Sequence, residues 1–399
     1  MDDTRTTAAG QVARRRVFYI PGYDPVPPRR YREMYRREGA RQAAISGYAL
    51  TLSPLDEAGR HGWRVRAEIE GAAVETAVEM LVWADIVKAS MAQGVLATYG
   101  QLLRTAWIYM GSGALWRLMR LRKGPMLAAF YPVVVLLGQL ALALAVGGVL
   151  AANLPWGAIP GMAAAILLLQ GFRRLDGWFY AHYLMHDYAF TARARGAWPR
   201  DLAERMDYFR QRILAALTED LDEVLVVGHS TGAPVAVSVL AGVLREAPPG
   251  GPALSFLTLG QVIPMISFLP AAWQLRDDLA CLAASDRLTW VDVTAPGDGA
   301  SFALCDPVAV SGVAPAGKRG PLVMSAAFRQ TLSNAAWRAL RWRFFRLHFQ
   351  YLSAFDRPGD YDYFRITAGP RTLGARYAGR APSKSRIERA HSRYTSRAA

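Results

Sequence analysis

The sequence carries no charged side chain from Pro125 to Phe172, a stretch of 48 residues. As a helix rising about 1.5 Å per residue, Met126 to Ala152 is long enough to cross a hydrocarbon core of about 30 Å. Turn-forming residues follow at Asn153 to Gly157, and Ala158 to Phe172 is apolar again but short for a full span. The stretch predicts a transmembrane helical hairpin, and a buried helical pair in a soluble core is the alternative.

Basic residues flank this stretch on both sides: Arg117, Arg120, Arg122 and Lys123 precede it, and Arg173 and Arg174 follow it. Because cytoplasmic flanks of membrane helices carry an excess of Lys and Arg, both ends are predicted to be cytoplasmic. The segment Met1 to Arg16 is polar, which predicts no signal peptide. We therefore expect a protein of the inner (cytoplasmic) membrane, with its remaining residues facing the cytoplasm.

Composition limits how much of the chain lies in a membrane. Of the 399 residues, 52% are hydrophobic and 20% are charged, which excludes a disordered chain. The mean hydropathy of +0.09 is low for a protein embedded throughout. Two cysteines, Cys281 and Cys305, provide no cluster with metal-ligand spacing. We expect a globular protein with a limited membrane element, no metal and no cofactor.

The formal charge of +15 favours an acidic partner, either nucleic acid or an anionic membrane surface. The arginines cluster at residues 14–16, at the hairpin ends and in the C-terminal tail, outside any recognisable nucleic-acid-binding module. This distribution favours the anionic cytoplasmic leaflet and argues against nucleic acid. The sequence does not determine the oligomeric state.

Strand-like and helix-like segments alternate outside the hairpin. Strands are predicted at Arg16–Pro21, Ala44–Leu52, Trp63–Glu70, Leu221–Val227, Ala253–Leu259, Leu288–Thr294 and Leu322–Ala327. Helices are predicted at Pro28–Ala43, Ala72–Met91, Arg200–Leu217 and Gly232–Leu244. Strands separated by helices predict an α/β fold with a mostly parallel sheet.

Four segments follow from these patterns. Residues 1–121 form the first part of the α/β domain, and residues 122–174 form the inserted hairpin. Residues 175–370 complete the α/β domain. Residues 371–399 have eight Lys and Arg against one Glu and no apolar periodicity, so they are predicted to be a disordered basic tail.

The pentapeptide Gly228-His-Ser-Thr-Gly232 lies between a predicted strand and a predicted helix and fits the pattern G-x-S-x-G. At such a turn the flanking glycines avoid clashes, and the serine hydroxyl points into solvent above the end of the strand. The pattern predicts a nucleophile at Ser230. A tight turn without catalysis is the alternative.

With this motif in its strand–turn–helix context, the chain resembles the α/β-hydrolase superfamily, from Val17 to about Ile366 once the hairpin is set aside. The resemblance implies the chain order Ser, then Asp or Glu, then His. It also implies two backbone donors for a tetrahedral oxyanion. Thr231 would supply the first, and Gly22 or Tyr23, after the opening strand, would supply the second.

Three aspartates near the C-terminal end of the strand Leu288–Thr294 are candidates for the acid. Asp298 follows the strand in a loop and is the first choice. Asp306 is the alternative, and Asp292 is disfavoured because it lies within the strand. Aspartate beside Gly or Pro is also ordinary turn chemistry.

His348 and His391 are the histidines that follow these acids in the sequence. His391 lies in the basic tail, so His348 is the predicted base. It lies about twenty residues beyond the last predicted strand, which departs from the superfamily, where the histidine comes directly after that strand. A histidine hydrogen-bonded within an aromatic helix is the other interpretation.

The sequence as a whole predicts a membrane-anchored serine hydrolase that cleaves an ester or thioester of a hydrophobic acyl group, such as a lipid, through an acyl-enzyme. The membrane anchor is the argument for a lipidic substrate, since the fold itself does not specify one. The alternative is an inert hydrolase-like domain that serves as a membrane scaffold or binds a partner.

Overall fold

The computed structural model describes residues 10–55 and 60–398, so most of the polar segment used to argue against a signal peptide lies outside it. Within the described residues the strands are β1 (Arg14–Ile20), β2 (Ala49–Pro54), β3 (Gly62–Ile69), β4 (Ala72–Met80), β5 (Glu223–His229), β6 (Ala253–Leu259), β7 (Leu288–Thr294) and β8 (Leu322–Ser325). They form one sheet in the order β2-β3-β4-β1-β5-β6-β7-β8. The β2–β3 and β3–β4 pairs are antiparallel and the other pairs are parallel. The predicted α/β fold with a mostly parallel sheet is confirmed.

Helices connect and cover the strands. The first group is α1 (Pro28–Ser46), α2 (Ala84–Met91), α3 (Val95–Gly111), α4 (Ala114–Leu118), α5 (Lys123–Asn153), α6 (Ala158–Arg174), α7 (Asp176–Phe179), α8 (Ala181–Ala192) and α9 (Arg200–Ala216). The second group is α10 (Gly232–Glu246), α11 (Ile263–Ser267), α12 (Trp273–Ala284), α13 (Pro307–Val310), α14 (Phe328–Thr331), α15 (Asn334–Leu340), α16 (Phe344–His348), α17 (Tyr363–Ala368) and α18 (Leu373–Arg376).

Alternate residues of the central strands face two separate hydrophobic cores. Phe18, Val226 and Phe256 pack on one face against α9, α10 and α12. Val17 and Leu225 pack on the other face against α1 and α17. Each fully buried side chain of this size contributes about 1.5–3 kcal/mol. Burial on both faces explains why the parallel strands are almost continuously apolar.

The segment Ala72–Met91, predicted as one helix, is a strand followed by a helix. Its first part is β4, which pairs antiparallel with β3 and parallel with β1. β-Branched residues occupy alternate positions at Val74, Thr76 and Val78, a pattern that favours a strand between two partners. The prediction of a single helix was wrong.

Helices α5 and α6 pack against each other where glycines allow close approach. A Cβ atom at Gly161 would lie 2.3 Å from the Gly147 carbonyl oxygen. Within the described residues, α5 is the one helix that is long and apolar enough to cross a membrane, and it is largely exposed. At 17 residues, α6 is shorter.

Residues 371–398 run along the surface of the α/β domain instead of extending away from it. Backbone hydrogen bonds join them to the domain, among them those from Ser383 to Val323 at 2.9 Å, from Ile387 to Leu304 at 2.7 Å, and from His391 to Val310 at 2.9 Å. The last short helix, α18, also lies here. This arrangement corrects the expectation of a disordered tail, because backbone hydrogen bonds and the buried side chains of Leu373 and Tyr377 hold the segment.

Candidate active site

Ser230 occupies a sharp turn between β5 and α10. Its φ is +56°, a left-handed conformation that costs a residue other than glycine about 1–2 kcal/mol. The Ser230 N–H donates to the Leu259 carbonyl at 2.9 Å, which anchors the turn to β6. A Cβ atom at Gly232 would lie 2.3 Å from the Ile20 carbonyl oxygen. Glycine is therefore required at this position for α10 to begin against the end of β1.

The loop after β1 lies directly beside Ser230. A Cβ atom at Gly22 would lie 3.0 Å from Ser230 Cβ and 3.4 Å from its Oγ. Two hydrogen bonds hold this loop. The Tyr183 hydroxyl donates to the Tyr23 carbonyl, and the Trp83 indole N–H donates to the Pro21 carbonyl. These contacts bring the predicted second donor loop to the predicted nucleophile.

Backbone donors are available on both sides of the serine. Among the residues that the structure describes, the N–H groups of Gly22, Tyr23 and Thr231 donate no hydrogen bond. Unpaired N–H groups beside a nucleophile can stabilise an oxyanion.

Asp298 and His348 form a hydrogen-bonded pair. Asp298 Oδ2 accepts from His348 Nδ1 at 2.8 Å and from the Tyr351 hydroxyl at 3.0 Å, and Asp298 Oδ1 accepts from the Ala300 N–H at 2.9 Å. Both partners are buried, with 2% and 7% of their surfaces exposed. Burial alone would raise the Asp298 pKa, but the charge and hydrogen bond of His348, together with the Ala300 N–H, hold it below its usual value.

The pair lies at the same edge of the sheet as Ser230. The His229 ring, adjacent to Ser230, lies 4.8 Å from the His348 ring, and His229 Nε2 donates to the His348 carbonyl at 3.1 Å. A Cβ atom at Gly260 would lie 3.0 Å from His348 Cε1. No hydrogen bond joins the Ser230 hydroxyl to the His348 ring in the described part of the chain. The structure thus brings the candidate acid Asp298 into contact with the candidate base His348 and places Ser230 at the same edge of the sheet.

His229 is a poorer base than its position suggests. Burial, with a further contribution from the charge of His348, lowers the pKa of His229 to about 3.

The two other candidate acids have structural roles. Asp306 caps α13 by accepting from the Val308 and Ala309 N–H groups at 3.0 Å, and it also pairs with Lys318. Asp292 accepts from the Thr258 hydroxyl at 2.6 Å within the sheet, and burial raises the pKa of Asp292 to about 8. Neither carboxyl bonds to His348.

Two further polar residues at the site were not predicted. Tyr351 lies three residues after His348, a helical spacing that could have indicated it. Asp187 of α8 is half-buried, and its Oδ1 has no hydrogen-bond partner among the described residues. Burial raises the pKa of Asp187 to about 7, moderated by the charge of His348 and a hydrogen bond from Thr231. No sequence pattern links α8 to these residues.

The apolar cavity beside Thr231 is small. It is lined by Trp83, Phe190, Trp198 and Val235 and has a volume of about 10 Å³. A cavity of this size holds no acyl chain, so a substrate chain would have to lie along the surface or open the site.

The chain matches no family model, and no curated protein or solved structure shows significant similarity to it. Interpretation of function therefore depends on the site itself.

Proposed function

We propose that this chain is a membrane-anchored serine hydrolase of the α/β-hydrolase type, acting on an ester or thioester of a hydrophobic acyl group. Ser230 is the nucleophile, His348 the base, and Asp298 the acid that orients the base. The observation that carries the proposal is the buried Asp298–His348 hydrogen bond at the sheet edge where Ser230 occupies a strained turn.

In the proposed reaction, Ser230 Oγ attacks the acyl carbon while its proton moves to His348 Nε2. The carbonyl π electrons move to the oxygen, where the Tyr23 and Thr231 N–H groups stabilise the charge. When the tetrahedral intermediate collapses, His348 returns the proton to the leaving alcohol or thiol. Water or an alcohol then attacks the acyl-enzyme by the same route, so the products are a free acid or a new ester.

The hydrogen bonds that Asp298 accepts support this assignment of roles. Its low pKa keeps the carboxylate ionised, so it fixes the Nδ1–H tautomer of His348 and leaves Nε2 free to accept the serine proton. A rotation of the Ser230 side chain would be needed to form the hydrogen bond to His348, and such bonds are often long in unliganded enzymes.

Membrane anchorage is proposed from α5 and its flanking charges. The helix is apolar and exposes large side chains such as Leu127, Val134 and Leu144 along its length. The basic residues on both flanks favour a cytoplasmic location for the α/β domain at the inner membrane. A site tethered at a bilayer meets lipidic esters at a high local concentration.

One observation favours a second candidate function, an inert hydrolase-like scaffold at the membrane. The Ser230 hydroxyl is not hydrogen-bonded to His348 in the described structure. In a scaffold, this separation would be permanent and the serine would be unreactive.

Fluorophosphonate labelling of membrane fractions separates the two functions. We expect the native chain to be labelled, Ser230→Ala to be unlabelled, and the matched variant Ser238→Ala, altered in the middle of α10, to be labelled normally. Equal labelling of the native chain and Ser230→Ala, or no labelling of either, would support the scaffold.

A further inference from the structure

A basic and aromatic segment, residues 334–347, leads directly into His348. It comprises α15, a short turn and most of α16. Its exposed side chains include four arginines and two large rings, namely Arg338, Arg341, Arg343, Arg346, Trp342 and Phe344. Trp342 and Phe344 are 74% and 49% exposed. Large exposed rings grouped in this way mark an interaction surface.

The arginines of the segment have no acidic partners in the part of the chain that the structure describes. Within the described residues, no carboxylate pairs with Arg338, Arg341, Arg343 or Arg346. Other exposed arginines of this protein do form such pairs, for example Arg200 with Glu204. The segment therefore presents an uncompensated positive charge, which is complementary to an anionic partner.

Contacts place the segment between the start of α5 and the end of α6. On one side, a Cβ atom at Gly299 would lie 2.9 Å from the Phe344 ring, and one at Gly124, in the first turn of α5, would lie 3.2 Å from Gly299 Cα. On the other side, the Phe345 ring lies 4.5 Å from the ring of Tyr180, six residues beyond the end of α6.

The same segment also contacts the candidate acid loop. A Cβ atom at Gly297 would lie 2.7 Å from the Trp337 ring. Gly297 and Gly299 flank Asp298, and His348 follows the segment. A continuous chain of contacts thus joins the start of α5 and the end of α6 to the loop of Asp298 and to His348.

We propose that residues 334–347 dock on an anionic phospholipid surface. This surface belongs to the leaflet in which α5 begins and α6 ends. Rings at headgroup depth and guanidinium groups facing anionic headgroups match what this surface presents. The docked segment holds His348 at the bilayer surface, so the substrate class is an acyl ester lying in the same leaflet. The docking rests on the proposed membrane anchorage, and this last step rests in addition on the proposed hydrolase chemistry.

The charge of the segment sets the size of the expected effect. An arginine near an anionic membrane strengthens association about fivefold, so neutralising three weakens docking about a hundredfold. Because a salt solution screens these charges within a few ångströms, high salt should reduce docking in the same way.

Hydrogen–deuterium exchange of the full chain in nanodiscs measures the docking directly. We compare discs of phosphatidylcholine with discs in which about one third of the lipid is phosphatidylglycerol. In the native chain, amides 334–347 should exchange more slowly in the anionic discs. The variant Arg338→Gln/Arg341→Gln/Arg343→Gln should lose this difference, while the amides of β5 report that it remains folded.

A matched control removes three arginines at the opposite edge of the sheet. Arg319, Arg380 and Arg386 line a cavity of about 460 Å³ at the start of β7 and β8. The variant Arg319→Gln/Arg380→Gln/Arg386→Gln lowers the net charge equally, and it should keep the lipid-dependent protection of the segment.

Three results would overturn the proposal. In the first, the amides of residues 334–347 exchange at the same rate in the two kinds of disc. In the second, both triple variants lose the protection equally. In the third, an added oligonucleotide protects the segment and phosphatidylglycerol does not. Ser230→Ala should show the native protection, so docking is measured without catalysis. Absence of Ser230 labelling would therefore refute the hydrolase while leaving the docking result to stand by itself.

Discussion

Replacing Asp298 by asparagine tests the acid–base pair with the smallest change of shape. Asp298 Oδ1 accepts from the Ala300 N–H, and Oδ2 accepts from His348 Nδ1 and the Tyr351 hydroxyl. In the variant, the side-chain oxygen should remain on the Ala300 N–H. The NH₂ group then faces His348 and becomes a donor where the carboxylate was an acceptor.

This exchange should reverse the tautomer of His348. With a donor at Nδ1, the neutral ring carries its proton on Nε2 and cannot accept the proton of Ser230. The loss of a correctly oriented base at such a site lowers the rate about ten-thousandfold, equivalent to about 5.5 kcal/mol of transition-state stabilisation. The variant retains the size of the native side chain, so its fold should be preserved.

The rate constant of fluorophosphonate labelling provides the assay, with hydrolysis of a short-chain ester as a second readout. Asp306→Asn is the matched control, because it alters another buried acid that caps α13 without bonding to His348. We expect the control to lose stability but to label at a rate close to that of the native chain. Native-like labelling of Asp298→Asn, with the control also unchanged, would refute the assignment of the acid.

Other predictions concern the strained Ser230, the carboxyl group of Asp187 and the contact between α5 and α6. Because Ser230 has a φ of +56°, Ser230→Gly should be about 1 kcal/mol more stable than Ser230→Ala in denaturant titrations; equal stability would contradict the strain. Burial raises the pKa of Asp187 to about 7, so between about pH 4 and 7 the folded chain keeps a proton that the unfolded chain loses, and stability falls as pH rises. At pH values above about 7, Asp187→Asn should therefore increase the free energy of unfolding by about 1–3 kcal/mol, which is measured as a higher melting temperature. Near pH 4 the substitution should leave the melting temperature unchanged, and a gain independent of pH would argue against this. Gly161→Leu should cost about 1–3 kcal/mol in detergent because α5 and α6 touch there, whereas Gly148→Leu, with no neighbour within 4 Å, should be tolerated.

Patterns that act over a few residues were readable from the sequence. The turn at Ser230 follows from glycines on both sides of a strand–helix junction, and Asp298 follows from its place in the loop after β7. His348 was predicted by elimination among the histidines that follow the acids. The parallel sheet followed from strands alternating with helices.

Features that depend on distant contacts were not readable. The segment Ala72–Met91 combines helical spacing of its apolar residues with alternating β-branched residues, and its place between β1 and β3 decides that its first part is a strand. Asp187 approaches Thr231 and His348 through the packing of α8, which no local pattern encodes. The tail after residue 370 is held by backbone hydrogen bonds, which leave no trace in side-chain periodicity, and by isolated buried side chains such as Leu373 and Tyr377.

The most direct test of the central claim is the position of the covalent adduct. After fluorophosphonate treatment of the native chain in membranes, peptide mass spectrometry should place the added mass on Ser230, and His348→Gln should reduce the labelling rate at least about a thousandfold. An adduct on another residue, or an unchanged rate in His348→Gln, would contradict a serine at position 230 activated by the imidazole of His348.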